Sequence, residues 1–181
     1  GADLNIEATV GGDIDAAGAD VRIAGATGGD LAAAGAIIEI VPSAVVGGDT
    51  ELAGREVYLR GVASGDVEAR GREVTLAGAV GGDAEIRAQT VVIDPAAQVG
   101  GDLTVRAEQE PAFPDGFVVG GTYEFIETSF KDSDYEDFDP VDLDLGFGPP
   151  GWAFGAAFSI SAFVLGVLAS LIAPKSTASI A

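Results

Sequence analysis

The chain has 181 residues, of which 27 are glycine, and 48% of the residues are hydrophobic although only 7% are aromatic. Its 29 acidic and 9 basic residues give a formal net charge of −20, which argues against nucleic-acid binding because phosphate backbones require basic surfaces. Cysteine and histidine are absent, which excludes disulfides, thiolate metal sites and the commonest catalytic base.

An internal repeat organises the chain as far as about residue 127. A Gly-Gly-Asp tripeptide, once replaced by Ser-Gly-Asp, recurs at spacings of 17, 19, 17, 17 and 19 residues, and Gly-Gly-Thr ends the series 20 residues later. Each 19-residue step contains two additional residues and a proline, Pro42 or Pro95, as expected for a loop at a corner. The aspartates of the series are Asp13, Asp30, Asp49, Asp66, Asp83 and Asp102.

Apolar residues take the same places in every repeat. They dominate the first, third, eighth and tenth positions after the aspartate and the position before the glycines, with mostly polar residues between them. This period-two alternation is typical of strands with one buried face. We therefore predict two short strands and a third, shorter one per repeat, stacked as roughly six turns of a three-faced solenoid. The eighth-position column is Val21, Ile38, Val57, Val74 and Val91.

Two other folds use short, regularly spaced strands. A β-sandwich does not require the same residue type in the same column of every repeat. The left-handed hexapeptide helix requires an aliphatic residue at every sixth position, and the seventh residue after each aspartate breaks that pattern. Those seventh residues are Asp20, Ile37, Glu56, Glu73 and Thr90.

Stacked turns place like residues in ladders. We expect each aspartate of the series to accept hydrogen bonds from its own corner, as in Asx turns, while glycine supplies a positive φ. A second interpretation is that the column attracts cations non-specifically, because its like charges repel. Arg70, Arg87 and Arg106 form another column, beside Glu68 and Glu85, which predicts a solvated lattice of ion pairs.

The repeat resembles that of bactofilins, the polymer-forming cytoskeletal family with a right-handed, three-faced β-helix. The resemblance covers residues 1–127 and is carried by the columns and by segments such as VGGDIDAAGADVRIAG and VIDPAAQVGGDLTV. A membrane-anchored branch of that family is similar in having C-terminal helices, and the acidity resembles that of its haloarchaeal members, the halofilins. The resemblance implies assembly into filaments through the ends of the β-helix.

Both ends of the predicted solenoid are candidate assembly surfaces. The chain opens in mid-turn, so Leu4 and Ile6 are expected at an end with unpaired strand edges. Aromatic residues gather at the other end, where they either plug the solenoid or form a face for head-to-tail contact. These aromatic residues are Phe113, Phe117, Tyr123 and Phe125.

The composition changes after residue 127. Residues 128–151 are rich in acids, aromatics and proline and predict an extended linker. Residues 152–173 contain no charge and, at 1.5 Å per residue, would span about 33 Å as a transmembrane helix. Small residues at Ala162, Gly166 and Ser170 form a candidate helix-packing face, and residues 174–181 are a short tail. Lys175 after the span places the β-helix on the extracytoplasmic side, with the cytoplasmic face as the alternative.

No nucleophile–base pair, phosphate-binding loop or metal-ligand pattern occurs in the sequence. We therefore expect a non-enzymatic protein without catalytic residues, cofactors or bound metal. The predicted function is a membrane-anchored scaffold that self-associates end to end or laterally. The alternative is a monomeric accessory subunit whose helix packs against other membrane proteins in the lipid bilayer.

Overall fold

The computed structural model describes residues 3–130, which form a parallel β-solenoid of about seven turns and contain no helix. Every strand pair within this range is parallel, which confirms the solenoid prediction and contradicts a sandwich built on antiparallel hairpins. The predicted linker, transmembrane helix and tail, with Ala162, Gly166 and Ser170, lie outside these residues apart from the first part of the linker.

Two sheets run along the solenoid. An eight-stranded sheet has the order β1-β2-β4-β6-β8-β10-β12-β14, and a six-stranded sheet has the order β13-β11-β9-β7-β5-β3. The strands of the first sheet are β1 (Asp3–Ile6), β2 (Ile14–Ile23), β4 (Leu31–Ile40), β6 (Thr50–Leu59), β8 (Val67–Leu76), β10 (Ala84–Ile93), β12 (Leu103–Ala107) and β14 (Tyr123–Glu127). Those of the second are β3 (Ala26–Thr27), β5 (Val45–Val46), β7 (Val62–Ala63), β9 (Ala79–Val80), β11 (Gln98–Val99) and β13 (Val118–Val119).

The columns predicted from the repeat are the columns of the structure. Leu4 pairs with Val21, Val21 with Ile38, and the same file continues to Val91 without a slip. The short strands are equally in register, from Thr27 paired with Val46 to Val99 paired with Val119. Each full repeat is therefore one turn, and the predicted apolar columns all point into one shared interior.

The first two strands predicted in each repeat are joined into one continuous strand in the structure. Each of β2, β4, β6, β8 and β10 is ten residues long. In β2 and β10 the first, third, fifth, eighth and tenth residues are buried, so the alternation changes phase at positions six and seven. A strand that turns two successive side chains outward bends there. Pairing with the neighbouring turns skips the sixth residue, such as Ala19 and Ala36, and resumes in the same register at the seventh.

The interior consists of alanine, valine, isoleucine and leucine. Small aliphatic side chains fit because each turn has only a narrow interior to fill, and Ile23, Leu31, Ile38, Ile40 and Leu52 are fully buried. Burial of these side chains is the main favourable contribution to folding. Two threonines, Thr27 and Thr50, occupy the same inward columns.

The hydroxyl oxygens of Thr27 and Thr50 are buried and have no hydrogen-bond partner among residues 3–130. An unsatisfied buried hydroxyl is destabilising, so we predict that Thr50→Val stabilises the fold by about 1 kcal/mol. Thermal unfolding followed by circular dichroism measures the effect, with Thr75→Val, at a half-exposed position, as a control that leaves the stability unchanged. A lower melting temperature for Thr50→Val would contradict the prediction.

Candidate functional site

The aspartate column is a ladder of hydrogen bonds between turns. The Asp13 carboxylate accepts from the backbone amide of Asp30 at 2.9 Å, and the Asp102 carboxylate accepts from that of Thr122 at 2.6 Å. The four bonds between them, at 2.8 to 2.9 Å, join Asp30, Asp49, Asp66, Asp83 and Asp102 in the same way. The expected Asx turn is wrong for this column, because each acceptor serves the next turn and not its own corner.

The glycines of the repeat are required by close approach between turns. A Cβ added at the second glycine of each tripeptide after the first would lie less than 3.0 Å from Oδ1 of the aspartate one turn earlier. The expected positive φ is wrong for these glycines, because the positive-φ glycine among residues 3–130 is Gly116, at +101°. The six glycines beside the carboxylates are Gly29, Gly48, Gly65, Gly82, Gly101 and Gly121.

The ladder stabilises the stacking of turns through its oxygen atoms and opposes it through its charges. We predict that Asp66→Ala destabilises the fold by about 1 kcal/mol relative to Asp66→Asn, because only asparagine keeps an acceptor for the Asp83 amide. Asp66→Asn also removes a charge from a column of like charges, so it melts no lower than the wild type at low salt.

Thermal melts of the three proteins at low and high salt provide the measurement. Equal melting temperatures for Asp66→Ala and Asp66→Asn would show that the inter-turn bond does not contribute. Non-specific cation association with the column stays a prediction; within residues 3–130, no group of three or more acidic, histidine or cysteine residues is arranged to hold a metal ion.

The outer surface of the eight-stranded sheet is charged. Arg106 Nε lies 3.2 Å from Glu85 Oε1, and Arg70 pairs with Glu68. Burial raises the pKa of Glu51, and the neighbouring Glu68 carboxylate raises it further while Arg70 opposes the shift. The predicted ion-pair lattice is present for these residues, and because most of these side chains are at least partly exposed each pair contributes little.

A second group of charges follows the other half of the same sheet. Glu39 is paired with Arg60 at 2.6 Å and with Arg22 at 3.4 Å. The Arg60 guanidinium lies 4.9 Å from the ring centroid of Tyr58, whose hydroxyl donates to Glu56 at 3.1 Å. Charged and polar side chains therefore cover most of both halves of this surface, with exceptions such as Ala36 and Ile37 on β4 and Val92 on β10.

At the C-terminal end of the solenoid, three of the four predicted aromatic residues form one cluster. The rings of Phe113 and Phe117 stack at 5.3 Å, and Phe113 meets Tyr123 edge-on at 4.6 Å. Phe117, Tyr123 and Phe125 pack against the core, whereas Phe113 is 42% exposed. Burial raises the pKa of Tyr123 to about 12, and the Glu110 carboxylate adds to the shift. This end combines a hydrophobic plug with one aromatic side chain left at the surface.

Leu4 and Ile6 lie at the opposite end of the strand order, in β1. Both are half-buried and pack against the core. The structure therefore separates the six predicted assembly residues into two groups, one at each end of the solenoid. Within residues 3–130, β1 and β14 each have a paired neighbour on one side only.

The two terminal strands align with different halves of the ten-residue strands. Strand β1 pairs with Asp20–Ile23, the second half of β2, whereas β14 pairs with Leu103–Ala107, which aligns with the first half of β10. Each end consequently has a step, with one half of the turn higher than the other. The repeat already contained this information, since the columns show where in a turn each terminal segment falls.

Residues 108–117 replace a strand in the last full turn. The second half of β10, residues Thr90–Ile93, pairs with β8 on one side and with no strand on the other within the part of the chain described. Glu108 lies beside it, with its amide 3.4 Å from the Gln89 carbonyl oxygen. A cavity of about 230 Å³ is lined by residues 89–91 and residues 108–112. The repeat pattern alone does not predict this cavity, because it depends on the path of an irregular segment.

Comparison of the chain with protein-family models, curated proteins and solved structures finds no match. Residues 3–130 contain no helix long and apolar enough to cross a membrane. Residues 3–130 thus define the class of the protein as a parallel β-solenoid, whose outermost strands β1 and β14 each pair on one side only within these residues.

Proposed function

We propose that this chain is a non-catalytic, membrane-anchored scaffold that joins copies of itself end to end, as the resemblance to bactofilins implies. In this proposal the solenoid is right-handed and three-faced, residues 152–173 are a single transmembrane helix, and the solenoid lies on the extracytoplasmic side. No cofactor is required. The partners are other copies of the chain and the lipid bilayer.

One observation carries the proposal. The eight-stranded sheet is continuous along the solenoid, and both of its outermost strands offer an unpaired edge among residues 3–130. Unpaired edges are a template for pairing with another chain, and proteins that must stay monomeric usually protect them. A contact between opposite ends does not close on itself, so its repetition produces an open filament.

The steps at the two ends support this contact. Strand β14 aligns with the first half of the ten-residue strands and β1 with the second half. A copy stacked in the same direction would therefore place the two strands in one turn. Leu4 and Ile6 would then lie against residues 108–117 and the aromatic cluster of the neighbouring copy, which take up the row between β1 and the Val91 column. End-to-end contact would in this way bury the half-exposed core residues at both ends.

The three-faced shape is supported by the bend within the long strands and by the separate six-stranded sheet, which together divide a turn into three runs. Right-handedness is supported by the general preference of parallel strand connections for that hand.

The edge of β1 offers a direct test. The Ile6 carbonyl accepts from the Ala24 amide at 2.8 Å, so its backbone groups face β2. Backbone groups alternate in direction along a strand, and those of Asn5 therefore face away from β2. Proline at this position removes an outward N–H group and no bond within the solenoid.

We predict that Asn5→Pro abolishes filaments that the full-length wild type forms in detergent at micromolar concentration. High salt is used because it screens repulsion between chains of net charge −20. Asn5→Ala is the matched control: both variants lose the side-chain bond to Glu7, 2.8 Å long, and only the proline loses the backbone donor. Negative-stain microscopy and sedimentation velocity provide the readouts.

Filaments of equal length in both variants would contradict pairing through β1. A wild type that sediments as a monomer at every salt concentration and co-purifies with other membrane proteins would favour the alternative function, an accessory subunit.

The anchor and its orientation have their own test. We predict that the full-length chain stays in the membrane pellet after alkaline carbonate extraction, because residues 152–173 contain no charge. In intact cells an impermeant maleimide should label Thr75→Cys, and Ser176→Cys only after lysis. Release by carbonate would contradict the anchor, and the reverse labelling order would place the solenoid on the cytoplasmic face.

A further inference from the structure

The outer surface of the six-stranded sheet differs from the rest of the solenoid. None of its twelve strand residues is charged, and their outward column is largely apolar. Three of the five exposed large hydrophobic residues among residues 3–130 belong to this column: Val45 at 42%, Val62 at 39% and Val118 at 54% exposed. The complete column, called here the valine face, is Ala26, Val45, Val62, Ala79, Gln98 and Val118.

The valine face is also flat. Beside it runs a column of exposed residues that is glycine in every turn except one, where it is Ser64. A Cβ at Gly47 would lie 2.7 Å from the Gly28 carbonyl oxygen, so this column is accounted for by contact between turns. Nothing inside the solenoid requires the valines to face outward, and polar residues occupy most outward positions on the long strands.

Charge identifies the partner. The chain has a net charge of −20, and the strands of the eight-stranded sheet carry 11 acidic residues against 6 arginines, so two copies approaching through this sheet would repel each other. The valine face itself carries no charge, and the aspartate column runs along one side of it, with Asp49 four residues from Val45. We infer that the valine face is a lateral contact between copies of this chain, apolar column against apolar column.

The size of the valine face determines when the contact forms. Six rows at about 4.8 Å and a width of four to five residues give about 400 Å² per copy, or about 800 Å² per pair. Stable interfaces bury about 1,200 to 2,000 Å² in total, so two isolated copies should bind each other only weakly. End-to-end joining repeats the face along a filament and lets the weak contacts add, so this stronger form of the inference rests on the proposed function.

The lateral contact can be tested separately from filament formation because the chain contains no cysteine. Val62→Cys places one thiol in the valine face, and Thr75→Cys places one on the charged sheet. A short bismaleimide added to each full-length variant, reconstituted in liposomes at high salt, traps contacts even when they are weak. We expect Val62→Cys to yield covalent dimers about tenfold faster than Thr75→Cys, because only the first site lies in a recurring contact. Val45→Cys repeats the measurement one row away.

The dimer yields are compared after division by the rate at which a monofunctional maleimide labels the same site, because Thr75 is less exposed than Val62. Equal dimer yields from Val62→Cys and Thr75→Cys would overturn the inference. So would a Val62→Cys thiol that resists a monofunctional maleimide without forming dimers, since the face would then be covered by another part of the same chain. Failure of the end-to-end proposal has a different outcome, in which microscopy shows no filaments and the Val62→Cys dimers persist. Filaments of single width without these dimers would leave the end-to-end proposal intact and reject the lateral contact.

Discussion

Every feature of this solenoid depends on successive turns lying one strand spacing apart with no slip in register. That spacing superposes each residue on its counterpart, so an apolar column fills the interior and a polar column covers the outside. It also brings neighbouring backbones so close that there is no room for a side chain at the glycines of the corners. At the second glycine, the aspartate carboxylate of the previous turn occupies the space that a Cβ would fill. The Gly-Gly-Asp repeat is therefore a packing requirement, in which glycine makes room and aspartate supplies the acceptor.

The fold was largely predictable because the spacing of a repeated sequence shows which residues lie above one another in successive turns. Once the aspartates were aligned, the inward columns, the corner insertions at Pro42 and Pro95 and the half-turn at Leu4 followed by counting. The partner of each aspartate could not be obtained in this way, because the spacing of like residues does not reveal whether a side chain bonds its own corner or the next turn. The junction of two predicted strands into one was equally hidden, since a bend and a break produce the same change of phase.

The candidate assembly surfaces were predicted in part. Aromatic residues after an aliphatic repeat indicate an end, and Phe113, Phe117 and Tyr123 do meet there. The valine face was missed because valine is common in any strand, and only the exposed fraction of the side chains separates Val45 and Val62 from their buried neighbours. Together the two kinds of surface describe a solenoid with charged flanks, and in our proposals its copies meet through the ends and the valine face.

The two 19-residue turns have their additional residues at the same corner, between the long strand and the short one. Ile40 still pairs with Ile23, and Val45 with Ala26. Four residues lie between Ile40 and Val45, whereas only two lie between Ile23 and Ala26. The later insertion near Pro95 leaves the pairing of Ile93 and Gln98 equally undisturbed. This corner is a natural grafting point, where an epitope, a fluorescent module or a whole foreign domain could be displayed at a fixed height along the rod while the scaffold beneath it keeps its architecture.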